Sequence, residues 1–180
     1  MRVPEVCPLS REAYHALGEM GHLPEKTELL YGQVFTKMPE SALHRLLFMR
    51  ALGLLQAALP AGTHVQPEKP IVCRTSEPVP DLSVIRGSIE DFAREHPSTA
   101  ELVIEICVSS HEYDRSKLPA YAVAGVKEVW LVLAPEKQIE TYRQPVGEQF
   151  RERILHGPGG CLVSAALPAF EVELADLFRT

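Results

Sequence analysis

Two periodicities run along this chain and separate its strands from its helices. Short runs rich in Val, Ile and Leu recur at 82–85, 102–108 and 129–133 and read as buried strands. Around Tyr31-Gly32, the stretch Glu28-Leu-Leu-Tyr-Gly-Gln-Val-Phe-Thr-Lys37 reads as two short strands of a hairpin. Residues 41–59 carry the helical period instead. His44, Phe48, Ala51 and Leu55 fall on one face, which is expected to pack inward, with Arg45, Met49, Gly53 and Gln56 on the other. Pro60-Ala-Gly62 stops that helix, and Ser10 caps a shorter one near the start of the chain. Two or three strands are expected between His64 and Ile85, broken by Arg74-Thr-Ser-Glu-Pro78, and a short helix over 88–95. A further helix is predicted over 116–124, with Pro119 tolerated in its first turn and Gly125 at its end. Residues 139–142, 150–155 and 161–163 read as strands, and Asp176-Leu-Phe closes the pattern. The order of helix, strands, helix and strands predicts an α/β (α+β) fold: a mixed central sheet flanked by helices, with an N-terminal helix and hairpin. One domain over 1–180 is expected from the length.

Composition narrows the classes. Apolar residues make up 46%, enough for a core. No stretch approaches the roughly 18–20 apolar residues of a membrane span, and Met1-Arg-Val-Pro-Glu-Val-Cys7 lacks the apolar centre of a signal peptide. A cytoplasmic location without membrane partners is therefore expected. Cys7, Cys73, Cys107 and Cys161 are scattered singly, which argues against a structural zinc site and implies no disulfide. The net charge of −6 argues against a strong nonspecific nucleic-acid binder. It leaves a nuclease open, because site carboxylates add to the acid count and a bound cation offsets them.

The chemistry concentrates between Pro80 and Tyr121. Asp81 heads one apolar run and Glu105 lies inside another, Glu-Leu-Val-Ile-Glu-Ile-Cys-Val, followed by Asp114-Arg-Ser-Lys117. A carboxylate in a buried strand is costly unless paired. Two strands with one acid each suggest a shared partner, and a hard divalent cation is the natural one. With a lysine close by, these are the parts of a metal-dependent phosphodiesterase site. Simpler readings stand beside this one. Asp81 could cap a turn after Pro80, and Glu105 could form a buried salt bridge with Lys117. His44 reads equally as a core histidine or as a side chain reaching the site. Glu28 reads as an extra acid or a rim residue, and Gln66 lies close enough in sequence to a strand to approach the site. Tyr121, one turn beyond Lys117, could orient the lysine or simply pack.

Six segments, in order, resemble the Uma-type (Uma-two) putative restriction endonucleases of the PD-(D/E)XK nuclease superfamily. They are Glu28-Leu-Leu-Tyr-Gly, Met38-Pro-Glu-Ser-Ala-Leu-His44, Ser76-Glu-Pro-Val-Pro-Asp81-Leu, Leu102-Val-Ile-Glu105-Ile, Tyr113-Asp-Arg-Ser-Lys117-Leu-Pro-Ala-Tyr121 and Ala124-Gly-Val-Lys-Glu-Val-Trp-Leu-Val. The resemblance implies the restriction-endonuclease-like core, with Asp81 and Glu105 as metal ligands. Three positions depart from the pattern. Cys107 stands where the superfamily has its lysine, which the family supplies from the next helix, here as Lys117. The spacing from Asp114 to Lys117 is one residue shorter than usual. Gln33 replaces a glutamate after the hairpin glycine.

The expected function is a Mg²⁺- or Mn²⁺-dependent endonuclease acting on DNA. Its metal would be held by Asp81, Glu105 and the main-chain carbonyl of Ile106, with Lys117 near the attacking water or the scissile phosphate. A homodimer would suit a double-strand break. The alternative is an inactive nuclease fold that binds nucleic acid or a protein partner. A third reading is a hydrolase of a small phosphorylated ligand.

Overall fold

The structure, a computed structural model, describes residues 6–37 and 39–179. Residues 1–5, read above for a signal sequence, and Met38, which opens one family-like segment, lie outside it. Helix α1 (Arg11–Glu19) is capped as expected, with the Ser10 hydroxyl accepting from the Ala13 amide at 3.1 Å. Strands β1 (Thr27–Leu30) and β2 (Gln33–Thr36) form the hairpin. Tyr31 and Gly32 both turn with positive φ, 52° and 76°, as a two-residue hairpin loop that follows strand twist requires. Helix α2 (Ala42–Ala58) follows, capped by Ser41.

Strands β3 (Thr63–Pro67), β4 (Leu82–Arg86), β5 (Leu102–Cys107), β6 (Glu128–Leu133), β7 (Gln138–Val146) and β8 (Gln149–His156) lie side by side in chain order as one sheet. Neighbours are antiparallel except β5 and β6. That parallel pair requires a crossover, made by α3 (His111–Ser116) and α4 (Leu118–Val123). On one face of the sheet, Leu47, Ala51 and Leu55 of α2 pack on Leu82, Val84, Ile104, Ile106 and Trp130. Strands β9 (Cys161–Val163) and β10 (Glu171–Glu173), with α5 (Leu174–Leu177), complete that layer through Leu162, Val172 and Leu174. On the other face, Ala120 and Tyr121 of α4 cover Val103, Cys107, Val129 and Leu131. The period of two along β5 sends residues 103, 105 and 107 to the α3–α4 side. Glu105 therefore faces the helices that follow it in sequence.

Two local expectations change. The helix over 88–95 is only a single 3₁₀ turn, Ile89–Phe92, held by a Ser88/Asp91 capping box. The two or three strands expected between His64 and Ile85 are two, β3 and β4, with an isolated bridge from Glu77 to Leu29 between them. The helix over 116–124 starts earlier, at His111, and is broken at Lys117. Pro119 has no amide hydrogen, and its ring conflicts with the carbonyl four residues back, so one continuous helix cannot run through it.

The crossover is tied to the sheet by Glu140 on β7, which is 2% exposed. Its carboxylate accepts from Arg115 at 2.8 and 3.2 Å, from the Tyr142 hydroxyl at 2.6 Å and from Arg153. Burial alone would raise its pKa, but the hydrogen bonds from Arg115, Tyr142 and Arg153 override that and hold it down at about 2. A depressed folded-state pKa means stability that is present above the unfolded value and lost as pH falls toward the folded one. Glu140→Gln should therefore cost about 2 kcal/mol at neutral pH, less than the full shift because solvent screens Arg153. The difference from wild type should vanish between about pH 4.5 and pH 2. Chemical denaturation across that range tests this, and a gap independent of pH would rule out the charged network as its source.

Candidate active site

Leu82 of β4 pairs with Ile104 of β5, and one step further the same register sets Asp81 opposite Glu105. The ladder ends there because Pro80 has no amide to continue it. Asp81 Oδ2 accepts from the Ile106 amide at 2.7 Å and lies 3.1 Å from His44 Nε2. The Asp81 amide points at Glu105 Oε2 across 3.4 Å. The N–H and C=O of one strand residue leave on the same edge, so the Ile106 carbonyl also opens toward Asp81, past the last ladder pair. Asp81, Glu105 and Ile106 all line one cavity of about 520 Å³.

Lys117 sits on the floor of this cavity at the α3–α4 break, 2% exposed. Its ammonium is 3.2 Å from both Glu28 Oε1 and Glu105 Oε1 and 3.5 Å from Asp114 Oδ1. The Tyr113 ring covers it, 5.1 Å away. Tyr121 donates to Glu105 Oε1 at 2.6 Å, so it orients the glutamate and not the lysine. Glu28 is wholly buried. It accepts from the Tyr113 hydroxyl at 2.8 Å and from the Val79 amide at 2.9 Å. Cys107 lies on the same face as Glu105 and is buried, its thiol pushed well up by burial and by Asp114. Position 107 thus places a neutral thiol on the Glu105 face, and the positive charge beside Glu105 is that of Lys117 at the helix break.

The charges are unevenly balanced. Burial and the neighbouring acids push Glu105 up to about 8, against the pull of Lys117. Burial would also raise Asp81, but the hydrogen bond and charge of His44, with Lys37 and the Ile106 amide, hold it below the usual carboxylate range. Burial pulls the Lys117 ammonium down, yet Glu105, Glu28 and Asp114 outweigh it and keep the ammonium charged. His44 is raised, chiefly by its bond to Asp81. Three acids, Glu28, Glu105 and Asp114, thus enclose one fully buried cation, and Asp81 lies beside them on the same cavity. An oxygen-rich donor set of this kind fits a hard divalent ion.

The accessory residues divide. His44, in the first turn of α2, and Glu28 both line the cavity; Gln66 does not. The Gln66 carbonyl takes the Ser83 hydroxyl at 3.2 Å, and the residue two positions on, Glu68, lines the cavity instead. Gln33 is exposed on β2 and away from the lining, so the missing glutamate leaves the pocket unchanged. Sequence reasoning overlooked Asp114, Tyr113 and Lys37 as site residues. Asp114 had a usable signal, its i,i+3 spacing from Lys117. Lys37 had none without the hairpin register.

The family model described as "Uma2: Putative restriction endonuclease" matches residues 11–175. No curated protein matches the chain. Among solved structures, the chain is similar to the crystal structure of a putative nuclease belonging to DUF820 from Anabaena variabilis ATCC 29413. The two are 19% identical, the match covers 90% of this chain and 96% of that one, and the TM-score is 0.70. That likeness shows a shared fold.

Proposed function

The chain belongs to the Uma2 family of putative restriction endonucleases, and from that premise we propose that it is a divalent-metal-dependent DNA endonuclease. The observation that carries the reading is the convergence of Asp81, Glu105 and Ile106 on one cavity beside a buried lysine. Asp81, Glu105 and the Ile106 carbonyl would hold Mg²⁺ or Mn²⁺. When bound, such an ion lowers the pKa of a water and neutralises charge on the scissile phosphate. Lys117 and Tyr121 fix the orientation of Glu105, and His44 and the Ile106 amide fix that of Asp81. We take DNA in the cytoplasm as the substrate. Among the described residues no helix is long and apolar enough to cross a membrane. A homodimer would present one site to each strand of a duplex.

Wild type should relax and linearise supercoiled plasmid in Mg²⁺ or Mn²⁺ and fail in EDTA. Glu105→Gln is near-isosteric with a carboxyl that burial already pushes up to about 8. It should melt within about 1 kcal/mol of wild type without metal, yet lose both cleavage and the metal-dependent rise in melting temperature. A Glu105→Gln protein that still gains stability from Mg²⁺ would remove Glu105 from the ligand set. One observation favours the second reading, an inactive nuclease fold: the Lys117 ammonium is already enclosed by three carboxylates. Metal-dependent duplex binding without cleavage under any divalent ion would establish that alternative. Activity on nucleotides without activity on duplex DNA would establish a small-phosphate hydrolase.

A further inference from the structure

Lys26 and Lys37 stand directly opposite each other at the open end of the β1–β2 hairpin. The ladder pairs Thr27 with Thr36, and the next step is closed by the Lys37 amide donating to the Lys26 carbonyl at 2.9 Å. Opposed residues of an antiparallel pair project to the same face, and like charges set there are destabilising. Both lysines line the cavity that holds Asp81 and Glu105. Lys37 is held over it, its Nζ donating to the Val79 carbonyl at 3.1 Å and lying 3.9 Å from Asp81 Oδ1. Lys26 is exposed, and among the described residues no acid lies within 4.0 Å of its ammonium. The start of α2 borders the same side through Ser41 and His44, and its first turn carries no acid. Its unpaired amides add positive potential there. Glu40 and Glu68 also reach the rim and oppose this potential in part.

A repulsive pair retained at the mouth of an anionic pocket breaks a local rule, and such breaks concentrate at functional sites. Lys117 cannot make the corresponding contact with an incoming anion, because it is 2% exposed and enclosed by carboxylates. We propose that Lys26 and Lys37 form a clamp for a backbone phosphate of the nucleic acid, set beside the acids that would hold the metal. The proposal rests on the nuclease reading for its substrate. The pair's mutual repulsion is relieved when a phosphate lies between the two ammonium groups. When Asp81 serves a cation, the Lys37 ammonium loses its distant carboxylate partner and becomes available to the phosphate.

The test is the salt dependence of duplex binding, measured in Ca²⁺ in place of Mg²⁺ from about 50 to 200 mM KCl. Lys26→Gln/Lys37→Gln should bind about tenfold more weakly at the middle of that range. The slope of log affinity against log salt should be shallower by about 1.8, and by about 0.9 in each single variant. Lys→Arg at both positions should keep the slope. Calorimetric Mg²⁺ affinity should change by less than about threefold in Lys26→Gln, which has no contact with the acids of the cavity. Without DNA, Lys26→Gln should melt no lower than wild type, since it removes a like-charge pair. An unchanged slope in the double variant overturns the clamp, and if wild type still cuts plasmid, the nuclease reading survives that result. A wild type that never cuts but shows the lysine-dependent slope supports the clamp and overturns the nuclease reading. A wild type that binds no duplex overturns the clamp.

Discussion

Lys117→Met is expected to destabilise the protein by about 3–5 kcal/mol, the usual cost of removing one partner from a buried ion cluster. Its ammonium is the shared partner of Glu28, Glu105 and Asp114. A methionine fills much of the same volume and leaves those acids facing one another in a buried site. Protonation of Glu105, already pushed up to about 8, relieves part of the repulsion. Glu28 keeps the Val79 amide and the Tyr113 hydroxyl as partners, which hold its side chain against Glu105 and Asp114. At this chain length the melting temperature should fall by roughly 10 °C. Adding Glu28→Gln to Lys117→Met should return part of the loss, a coupling that a double-mutant cycle reads directly. A Lys117→Met protein that melts within about 1 kcal/mol of wild type would show that the cluster is not held by the lysine. Turnover of this variant is informative only below its own melting transition. There, a loss without any change in Mg²⁺ affinity would indicate a role in the transition state as well.

The sheet strands were legible because buried strands are continuous apolar runs, and β5 and β6 are both of that kind. The hairpin was legible from Tyr31-Gly32 and α2 from its period. The break at Lys117 was not. Pro119 fits the first turn of α4, and nothing local announces that the preceding turn is helical too. Asp81 and Glu105 could be named as a pair from sequence because each acid stood out against an apolar run. Their apposition depends on the β4–β5 register, which is a long-range fact. The same holds for Lys26 and Lys37, eleven positions apart in the chain and adjacent only through hairpin pairing. Gln66 was misplaced for a related reason. Glu68 has a positive φ of 45°, and this local turn brings it, and not the strand residue before it, to the cavity.

Asp81→Asn is expected to lower plasmid cleavage by about 10³-fold or more, roughly 4 kcal/mol of transition-state stabilisation. The substitution changes charge and little else. An asparagine oxygen can still accept from the Ile106 amide, now bonded at 2.7 Å, so the end of β4 should stay in place. The neighbours of Asp81 hold it ionised, whereas burial pushes Glu105 toward neutrality. Asp81 therefore offers a cation its charge without first giving up a proton, and its loss should weaken Mg²⁺ binding as well as slow the reaction. His44→Ala should do less, because it removes a group that orients Asp81 and leaves the carboxylate itself. Because its neighbours hold Asp81 below the usual carboxylate range, Asp81→Asn without metal should melt slightly below wild type at neutral pH, with the gap closing as pH falls and Asp81 itself is protonated. Cleavage within tenfold of wild type by a folded Asp81→Asn protein would move the metal away from Asp81. A large drop in melting temperature would instead assign Asp81 a structural role, with His44 as its ion-pair partner.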